Sequence, residues 1–378
     1  MSRLFLFNPE NDLALAHGKA QYTPPPNALL LHNAGAMLPI WICNEGDSVL
    51  AHNINTEWLQ SQQQLFDVPN IECTSNNISE LSPWGWSLNT CRQFSEYSIN
   101  PSLLPSETSI EKIRQLSHRR HTIDVISQIN EFCGTNIPKP IEADNAFQVI
   151  DFLHKNQSIY IKSPWSSSGR GVINTATLSE KEIIRRANGI IRRQGSVMCE
   201  KALEKIKDFA MLFYCDGKEV KFHAYSSFFN LGVGNYAGNV IGSQEFVINS
   251  ITQHGATQQK LEIIADALSH ILTPLIAPHY HGFLGVDMMI FNNHGNIEIA
   301  PCIEINLRMT MGVIASLWSK KHLYHKSHGV IKVEYSPIAK RIVSTNPPII
   351  IDKKLKSGTI SLIPPDDNFD IYISAHCN

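Results

Sequence analysis

Residues 283–306, FLGVDMMIFNNHGNIEIAPCIEIN, constrain the fold more than any other stretch of this chain. Two long apolar runs flank the segment Asn292 to Asn296, which has the Asn and Gly content of a turn. This pattern predicts an antiparallel β-hairpin. Asp287 is the acid of the first run and needs a partner there, because an isolated carboxylate in apolar surroundings is costly.

The returning strand ends in CIEINLRMTMG, where Glu304, Asn306 and Arg308 follow one another at steps of two. Residues two apart in a strand point to the same face of the sheet. Antiparallel pairing would bring Asp287 within reach of Glu304 and Asn306, and Mg²⁺ prefers such carboxylate and amide oxygens. The hairpin therefore predicts a magnesium site, and the alternative is a solvent-facing edge strand.

The composition is that of an ordinary globular protein with two or three domains, at 378 residues, 43% hydrophobic and 17% charged. Its net charge of -2 gives no reason to expect nucleic acid or an anionic membrane surface as a partner. The first apolar run is too short for a signal peptide, and the eight cysteines form no C-x-x-C pair. We expect a cytoplasmic protein with reduced thiols and no membrane span.

Strand and helix signals alternate along the chain and predict an α/β (α+β) fold. The predicted strands are 3–7, 39–43, 158–163, 172–178, 196–203, 340–345 and 358–363, with a further hairpin at 208–229 that turns at Asp216 and Gly217. The predicted helices are 27–38, one long helix at 109–133, 145–156, 179–195 and 258–276. His322, His325 and His328 indicate either an exposed basic helix face or, less favoured, a histidine metal site.

The segment KSPWSSSGRG, residues 162–171, directly follows a predicted strand. Its serines and glycines offer backbone and hydroxyl donors with little bulk, and Lys162 and Arg170 supply positive charge. The order of residues is not that of a P-loop, because the lysine precedes the loop. The segment predicts a loop that closes over an anion, and the alternative is a mobile surface loop.

A second polar segment, FNPENDLALAHG, places Asn8, Glu10, Asn11 and Asp12 just past the first predicted strand. Ligands of open α/β sheets bind beyond the carboxyl ends of strands, so these residues are candidates for substrate binding. The alternative is a capped turn with Asn11 or Asp12 as the N-cap. Asn235, in GVGNYAGN, is a further candidate for ligand contact, although the end of a hairpin explains its neighbouring glycines equally well.

The order of these parts resembles that of the ATP-grasp superfamily, in particular its D-alanine–D-alanine ligase-like and biotin-carboxylase-like members. The likeness covers about residues 108–316: a lysine at a strand end, a Ser/Gly-rich loop, a Glu-Lys hinge, then Asp and Glu-x-Asn. It implies an ATP-grasp fold in three parts. These are an N-terminal α/β (pre-ATP-grasp, substrate) domain at 1–107, a lid subdomain at 108–200, and a central domain with the metal site and C-terminal tail at 201–378.

The resemblance also implies a site for ATP with Mg²⁺, or with Mn²⁺ in its place. HRRHT has Arg119 where the family has a lysine, SSSGRG matches the mobile phosphate loop, and CEKAL resembles the hinge that holds adenine. By this likeness the ATP-binding residues are Arg119, Lys162, Ser166, Ser167, Ser168, Gly169, Gly171, Glu200, Lys201, Leu203 and Asp208, and the metal ligands are Asp287, Glu304 and Asn306.

The function implied is a carboxylate–amine ligase that forms an acylphosphate, which an amine or a thiol attacks, with release of ADP and phosphate. Lys162, Arg170 and Arg308 are the catalytic candidates, and Arg308 resembles the family's arginine that faces the acylphosphate or the anionic substrate. Gly285 stands where the D-alanine ligases have an arginine, so Arg308 is the candidate to supply that charge. The alternatives are a kinase-like phosphotransferase and a non-catalytic nucleotide- or partner-binding module. The sequence leaves open a homodimer, and whether the carboxylate and amine belong to small molecules or peptides.

Overall fold

The computed structural model describes residues 2–51, 54–71, 78–97, 99–166, 171–231 and 235–377, which form three β-sheets. The N-terminal sheet has three parallel strands in the order β2-β1-β3, and parallel strands need crossover connections, which helices supply here. In chain order this part contains β1 (Arg3–Leu6), α1 (Asn11–His17), α2 (Pro26–Ala34), β2 (Ser48–Val49), α3 (Thr56–Leu65), β3 (Glu80–Pro83), α4 (Leu88–Ser95) and α5 (Glu107–Leu116).

The strand predicted at 39–43 is wrong, because Leu38–Ile42 form a 3₁₀ helix. Pro39 has no backbone N–H and cannot complete a strand ladder. Trp41 is fully buried and donates its indole N–H to the carbonyl oxygen of Leu362, 2.7 Å away. Packing against the C-terminal part of the chain therefore overrides the strand propensity of this apolar run.

The lid sheet has four antiparallel strands in the order β4-β7-β5-β6. Two helices pack on it through apolar residues, and the second begins with a capping box in which Ser179 and Glu182 bond each other's backbone N–H. The helices predicted at 145–156 and 179–195 are confirmed, whereas the strand predicted at 172–178 ends at Asn174. The elements are α6 (His121–Cys133), β4 (Ile141–Ala143), α7 (Ala146–Asn156), β5 (Ile159–Lys162), β6 (Val172–Asn174), α8 (Glu180–Gln194) and β7 (Val197–Lys201).

The central sheet has nine strands in the order β12-β11-β8-β9-β10-β13-β16-β15-β14, and all neighbouring strands are antiparallel. Both predicted hairpins are confirmed. The elements are β8 (Glu204–Cys215), β9 (Val220–Leu231), β10 (Asn235–Ile241), α9 (Gln244–Thr252), α10 (Gln258–Ile276), β11 (Gly282–Asn293), β12 (Asn296–Asn306), α11 (Met311–His322), β13 (Ser327–Tyr335), α12 (Ser336–Thr345), β14 (Ile349–Ile351), β15 (Lys354–Ser361) and β16 (Phe369–Cys377).

Two predictions for the C-terminal part are wrong. The segment 340–345 belongs to helix α12 and not to a strand. The helix begins at Ser336, and Pro337 in its first turn is typical of a helix start. His322 is fully buried at the end of α11, with its Nε2 2.9 Å from the carbonyl oxygen of Trp41. Burial lowers the pKa of His322 to about 4, so this residue is a neutral core histidine and not part of an exposed basic face.

In the part of the chain that the structure describes, no helix has the length and apolar character needed to cross a membrane. The limits drawn above for the three domains remain predictions.

Candidate nucleotide and metal site

The hairpin β11–β12 places two carboxylates side by side. Asp287 pairs directly with Glu304, and Gly285 pairs with Asn306. Burial, and then the charge of Glu304, raise the pKa of Asp287 to about 7, while Arg308 and a hydrogen bond with the Asn306 side chain lower it only in part. Two acids in this register repel each other, so the hairpin has a local excess of negative charge that a cation would relieve.

Arg119 reaches this hairpin from a break in a helix. The long helix predicted at 109–133 is wrong, because α5 ends at Leu116 and α6 begins at His121. In the break, the backbone N–H of Arg119 donates to the carbonyl oxygen of Pro164, 3.2 Å away. The buried guanidinium donates from Nη2 to Oε1 of Glu304, 2.6 Å away. The break therefore brings a cation to a carboxylate 185 positions further along the chain.

The same guanidinium also holds the start of the Ser/Gly-rich loop. Its Nη1 donates to the Ser166 hydroxyl at 2.8 Å and to the carbonyl oxygen of Ser163. Gly171, at the other end of the loop, has a φ of +76°, and a Cβ there would lie 2.5 Å from the Ser163 hydroxyl oxygen. Only glycine fits this position. Arg119 thus joins the loop to the hairpin β11–β12.

Arg308 lies beyond the strand and not on its face as predicted, because β12 ends at Asn306. The chain turns there to pair with the N-terminal part, where the backbone N–H of Met309 donates to the carbonyl oxygen of Trp84 at 2.7 Å. Arg308 Nε lies 3.0 and 2.9 Å from the two carboxylate oxygens of Asp12, and its Nη2 donates to Oδ1 of Asn306 at 2.9 Å. The guanidinium therefore still borders the site, but its anion is a carboxylate of this chain.

Asp12 belongs to the polar segment for which the sequence predicted substrate binding or a capped turn, but its ion pair with Arg308 was not predicted. It lies in the first turn of α1, just past the carboxyl end of β1, where an acid also interacts favourably with the helix dipole. We predicted Asn11 or Asp12 as the N-cap, which is wrong: the residue preceding the helix is Glu10, and it makes no side-chain cap bond. The position past a first strand was the available signal for Asp12, but nothing local identified Arg308 as its partner.

Lys162 ends β5, and its ammonium pairs with the carboxylate of Glu200 on the neighbouring strand β7. Both side chains are largely buried. Asp208, on β8, is held by Lys205 at 2.8 Å and by Asn230 at 2.9 Å. Each acid that the resemblance assigns to adenine or ribose is thus already bonded to a neighbouring side chain.

The remaining predicted nucleotide residues fall in three places. Lys201 is exposed at the end of β7, and Leu203 lies in the connection to β8, partly buried against the main core. Ser167, Ser168, Gly169 and Arg170 lie outside the described residues. Their roles stay predictions.

The polar residues that follow β1 are bonded within the N-terminal part. Asn8 donates to the carbonyl oxygen of Gly85 at 2.9 Å and to the Thr90 hydroxyl at 3.0 Å. Glu10 pairs with His32 at 3.0 Å, and Asn11 is buried beside Gly85. A substrate role for Asn8, Glu10 and Asn11 stays a prediction, as it does for Asn235, which is the first residue of β10.

The donors on the hairpin fit a magnesium ion in their chemistry. Within the described residues, no group of three His, Cys, Asp or Glu side chains could hold a metal ion, and the predicted set instead combines two carboxylates with an amide. Asp287 and Glu304 are the oxygen ligands that Mg²⁺ prefers. The amide oxygen of Asn306 accepts a hydrogen bond from Arg308, so it is the weaker candidate of the three.

No protein-family model matches this chain, and no curated protein matches its sequence. Solved structures do match. N5-carboxyaminoimidazole synthetase from Staphylococcus aureus has a TM-score of 0.53 at 9% identity, covering 100% of this chain and 93% of that one. Biotin carboxylase from Campylobacter jejuni, in a β,γ-ATP complex, has a TM-score of 0.55 at 9% identity, covering 100% and 87%.

A third match is the biotin carboxylase domain dimer of 2-oxoglutarate carboxylase from Hydrogenobacter thermophilus, in complex with MgADP, ADP and bicarbonate. Its TM-score is 0.53 at 10% identity, and the alignment covers 100% of this chain and 86% of that one. This chain has the ATP-grasp fold.

The ATP-grasp fold that the motif order predicted is therefore confirmed. In this chain, the fold brings the lid sheet, the hairpin β11–β12 and the turn at Arg308 to one point. Identities of 9–10% carry the comparison no further than the fold.

Proposed function

We propose that this chain is an ATP- and Mg²⁺-dependent ligase that activates a carboxylate as an acylphosphate and joins it to an amine, or to a thiol. The observation that carries the proposal is the convergence of cations on the acidic hairpin. Arg119 bonds Glu304 directly, Arg308 contacts Asn306, and Lys162 ends the strand that leads into the same loop. Phosphoryl transfer needs this combination, because ATP brings about four negative charges that cations and a metal must neutralise.

The residues of the chain then have distinct roles. Asp287 and Glu304 would hold Mg²⁺, which would supply Lewis-acid stabilisation of the phosphate charge. Arg119 and Lys162 exchange their present carboxylate partners for phosphate oxygens, which are anions of the same kind. Both cations are largely buried, so their interaction with phosphate is only weakly screened by water.

Arg308 is placed for the acid substrate. Its guanidinium lies between Asp12 and Asn306, and a substrate carboxylate would replace Asp12 as its anion. The planar fork of arginine suits a carboxylate or an acylphosphate better than a lysine ammonium would. Acylphosphate formation leaves ADP, and attack by the amine or thiol then releases phosphate.

The charge of the site and the ligands of one similar structure suggest which acids to test first. Bicarbonate is present in the Hydrogenobacter structure, and it carries the oxyanion that Arg308 would bind. Bicarbonate and small carboxylic acids are therefore the first acids to test, with small primary amines as acceptors. We expect cytoplasmic location from the composition, and the oligomeric state stays open.

The experiment measures nucleotide binding and turnover separately. ATP with Mg²⁺ should raise the melting temperature, because a ligand that binds only the folded state stabilises it. ADP should then form when an acid is supplied, and hydroxylamine should trap the acylphosphate as a hydroxamate. Release of the coupled product should require the amine.

The outcomes separate the proposed ligase from its alternatives. A stable phosphorylated product that forms without an amine would indicate the kinase-like phosphotransferase. A melting shift without ADP formation for any acid would indicate a non-catalytic nucleotide-binding module. If millimolar ATP leaves the melting temperature unchanged, the proposal fails.

A further inference from the structure

Arg119 of this chain bonds one of the two carboxylates that we propose as metal ligands. The guanidinium of Arg119 lies 2.6 Å from Oε1 of Glu304, one of the two carboxylates that fit Mg²⁺. The Arg119 side chain is 5% exposed, whereas that of Glu304 is 24% exposed. The arginine therefore contacts the Glu304 carboxylate from the buried side. Its positive charge neutralises the negative charge of Glu304, which would otherwise attract an ion from solution.

One nitrogen of the Arg119 guanidinium is hydrogen-bonded to the loop, and another has no hydrogen-bond partner in the described part of the chain. Its Nη1 holds Ser163 and Ser166 at the start of the Ser/Gly-rich loop. In the described part of the chain, its buried Nε has no hydrogen-bond partner, which is costly for a charged group. The side chain is thus incompletely hydrogen-bonded in its present position, although its Nη1 holds the start of the loop.

Glu304 cannot serve Arg119 and a divalent ion equally well at the same time. Two cations a few ångströms apart repel strongly in a partly buried site, unless anionic oxygens lie between them. Nucleotide phosphates supply such oxygens. They can draw the guanidinium away from Glu304 and at the same time bridge it to the metal.

We propose that Arg119 excludes divalent metal from Glu304 until nucleotide phosphates take over its guanidinium, so that the metal enters as its nucleotide complex and not alone. The inference rests on the proposed function for the identity of the anion, but not for the competition between Arg119 and the metal. Because Arg119 also holds Ser163 and Ser166, the same exchange couples occupation of the metal site to the loop. Arg119 therefore contacts Glu304 before the nucleotide binds and the phosphates afterwards.

The test uses Mn²⁺ as the probe, followed by electron paramagnetic resonance without any nucleotide. Arg119→Gln should bind Mn²⁺ at least about 10-fold more tightly than the wild type, a coupling of ordinary size between two sites. Arg120→Gln is the matched control, because it removes the same charge from the neighbouring position. The Arg120 side chain is exposed and lies near Glu142. It should behave as the wild type does.

A double variant locates the ion. Adding Glu304→Gln to Arg119→Gln should abolish the gain in Mn²⁺ affinity, because the gained site is the uncovered carboxylate. Melting curves of all variants establish that each is folded. Arg119→Lys, which keeps a charge near Glu304, should restore most of the exclusion.

Two results would overturn the inference. One is an Mn²⁺ affinity of Arg119→Gln no higher than that of the wild type and of Arg120→Gln. The other is a gain that survives Glu304→Gln, because the ion would then bind elsewhere. ADP binding is measured in parallel. If ADP binds none of the proteins, the proposed function fails. The Mn²⁺ comparison still decides whether Arg119 excludes metal from Glu304.

Discussion

Two aspartates of this chain, Asp47 and Asp287, face opposite electrostatic situations. Asp47 accepts hydrogen bonds from the backbone and side chain of Arg3, the shortest at 2.7 Å, and from the backbone N–H of Asn44 at 2.9 Å. Burial by itself raises the pKa of Asp47, but these bonds and the charge of Arg3 outweigh it and hold the pKa below its usual value. Asp287 instead faces Glu304, and its pKa is raised to about 7.

The opposite pKa shifts distinguish two kinds of acid. The charged form of Asp47 stabilises the fold, whereas the charged form of Asp287 is unfavourable in the protein without a ligand. Around Asp47 the folded chain supplies every compensating group, so ionisation is favourable in the folded state. Around Asp287, burial and the charge of Glu304 outweigh the charge of Arg308, and Arg119 is bonded to Glu304. The ionisation of Asp287 is therefore only partly compensated within the fold, and we expect the two sites to respond in opposite ways to the same substitutions.

The largest expected effect is on turnover, from Glu304→Gln. This change keeps the shape of the side chain but removes a charge from the proposed metal shell. ADP formation should fall by on the order of 10³-fold, as when a main electrostatic contact of a transition state is lost. Steady-state ADP release checks it, with circular dichroism to show that the protein is folded. Normal turnover would mean that this strand face is an ordinary polar edge.

Next in size is Arg308→Lys, which keeps the charge but loses the planar fork that contacts Asp12 and Asn306. ATP affinity should change little. Ligation should lose about 2–4 kcal/mol of transition-state stabilisation, by analogy with the loss of one oxyanion donor. Binding of ATP and turnover are measured separately, and if both survive the substitution, Arg308 serves only to join the N-terminal part to the hairpin.

Asp47→Asn tests the satisfied member of the comparison. It leaves Arg3 without its counter-ion and should lower the free energy of unfolding by about 2–3 kcal/mol at pH 7. Because the folded-state pKa of Asp47 is depressed, its contribution is present above the unfolded pKa and is lost as the pH falls through the folded pKa. Urea denaturation should therefore show a difference at pH 7 that shrinks towards pH 3, and specific activity should be unchanged.

Asp287→Asn should have the smallest effect on stability, and the opposite sign. The raised pKa means that ionisation of Asp287 costs the folded state free energy as the pH rises from about 4 to about 7. The variant should therefore be more stable than the wild type by about 1–2 kcal/mol at pH 8, after allowance for solvent screening, and equal to it at pH 4. A loss of stability at pH 8 would show that the two hairpin acids are already compensated within the fold.

Much of the hairpin could be predicted from the sequence. The two apolar runs around Asn292 to Asn296 determine an antiparallel pair, and in such a pair the alternation of side chains follows directly from backbone geometry. The turn register, which pairs Met289 with Ala300, would by itself place Asp287 opposite Cys302, and only an irregularity between Asp287 and Met289 shifts its partner to Glu304. The order of the motifs was enough to predict the ATP-grasp fold as well.

Arg119 could not be placed in this way. The pattern at 109–133 is that of one continuous amphipathic helix, and only contacts with Pro164, Ser163 and Ser166 on the lid side explain the break that exposes Arg119 to Glu304. The same holds for Trp41, whose indole N–H finds its acceptor at Leu362. Both departures from local propensity are stabilised by partners far along the chain.

The sequence by itself determined that Glu304 and Asn306 share a strand face, because that depends on a two-residue period. The tertiary structure decided which cation neutralises which acid. Arg308 meets Asp12 across 296 positions, and Arg119 meets Glu304 across 185. Such pairings depend on how the three sheets pack, since charge attraction acts on distances in space that local sequence periodicity does not encode.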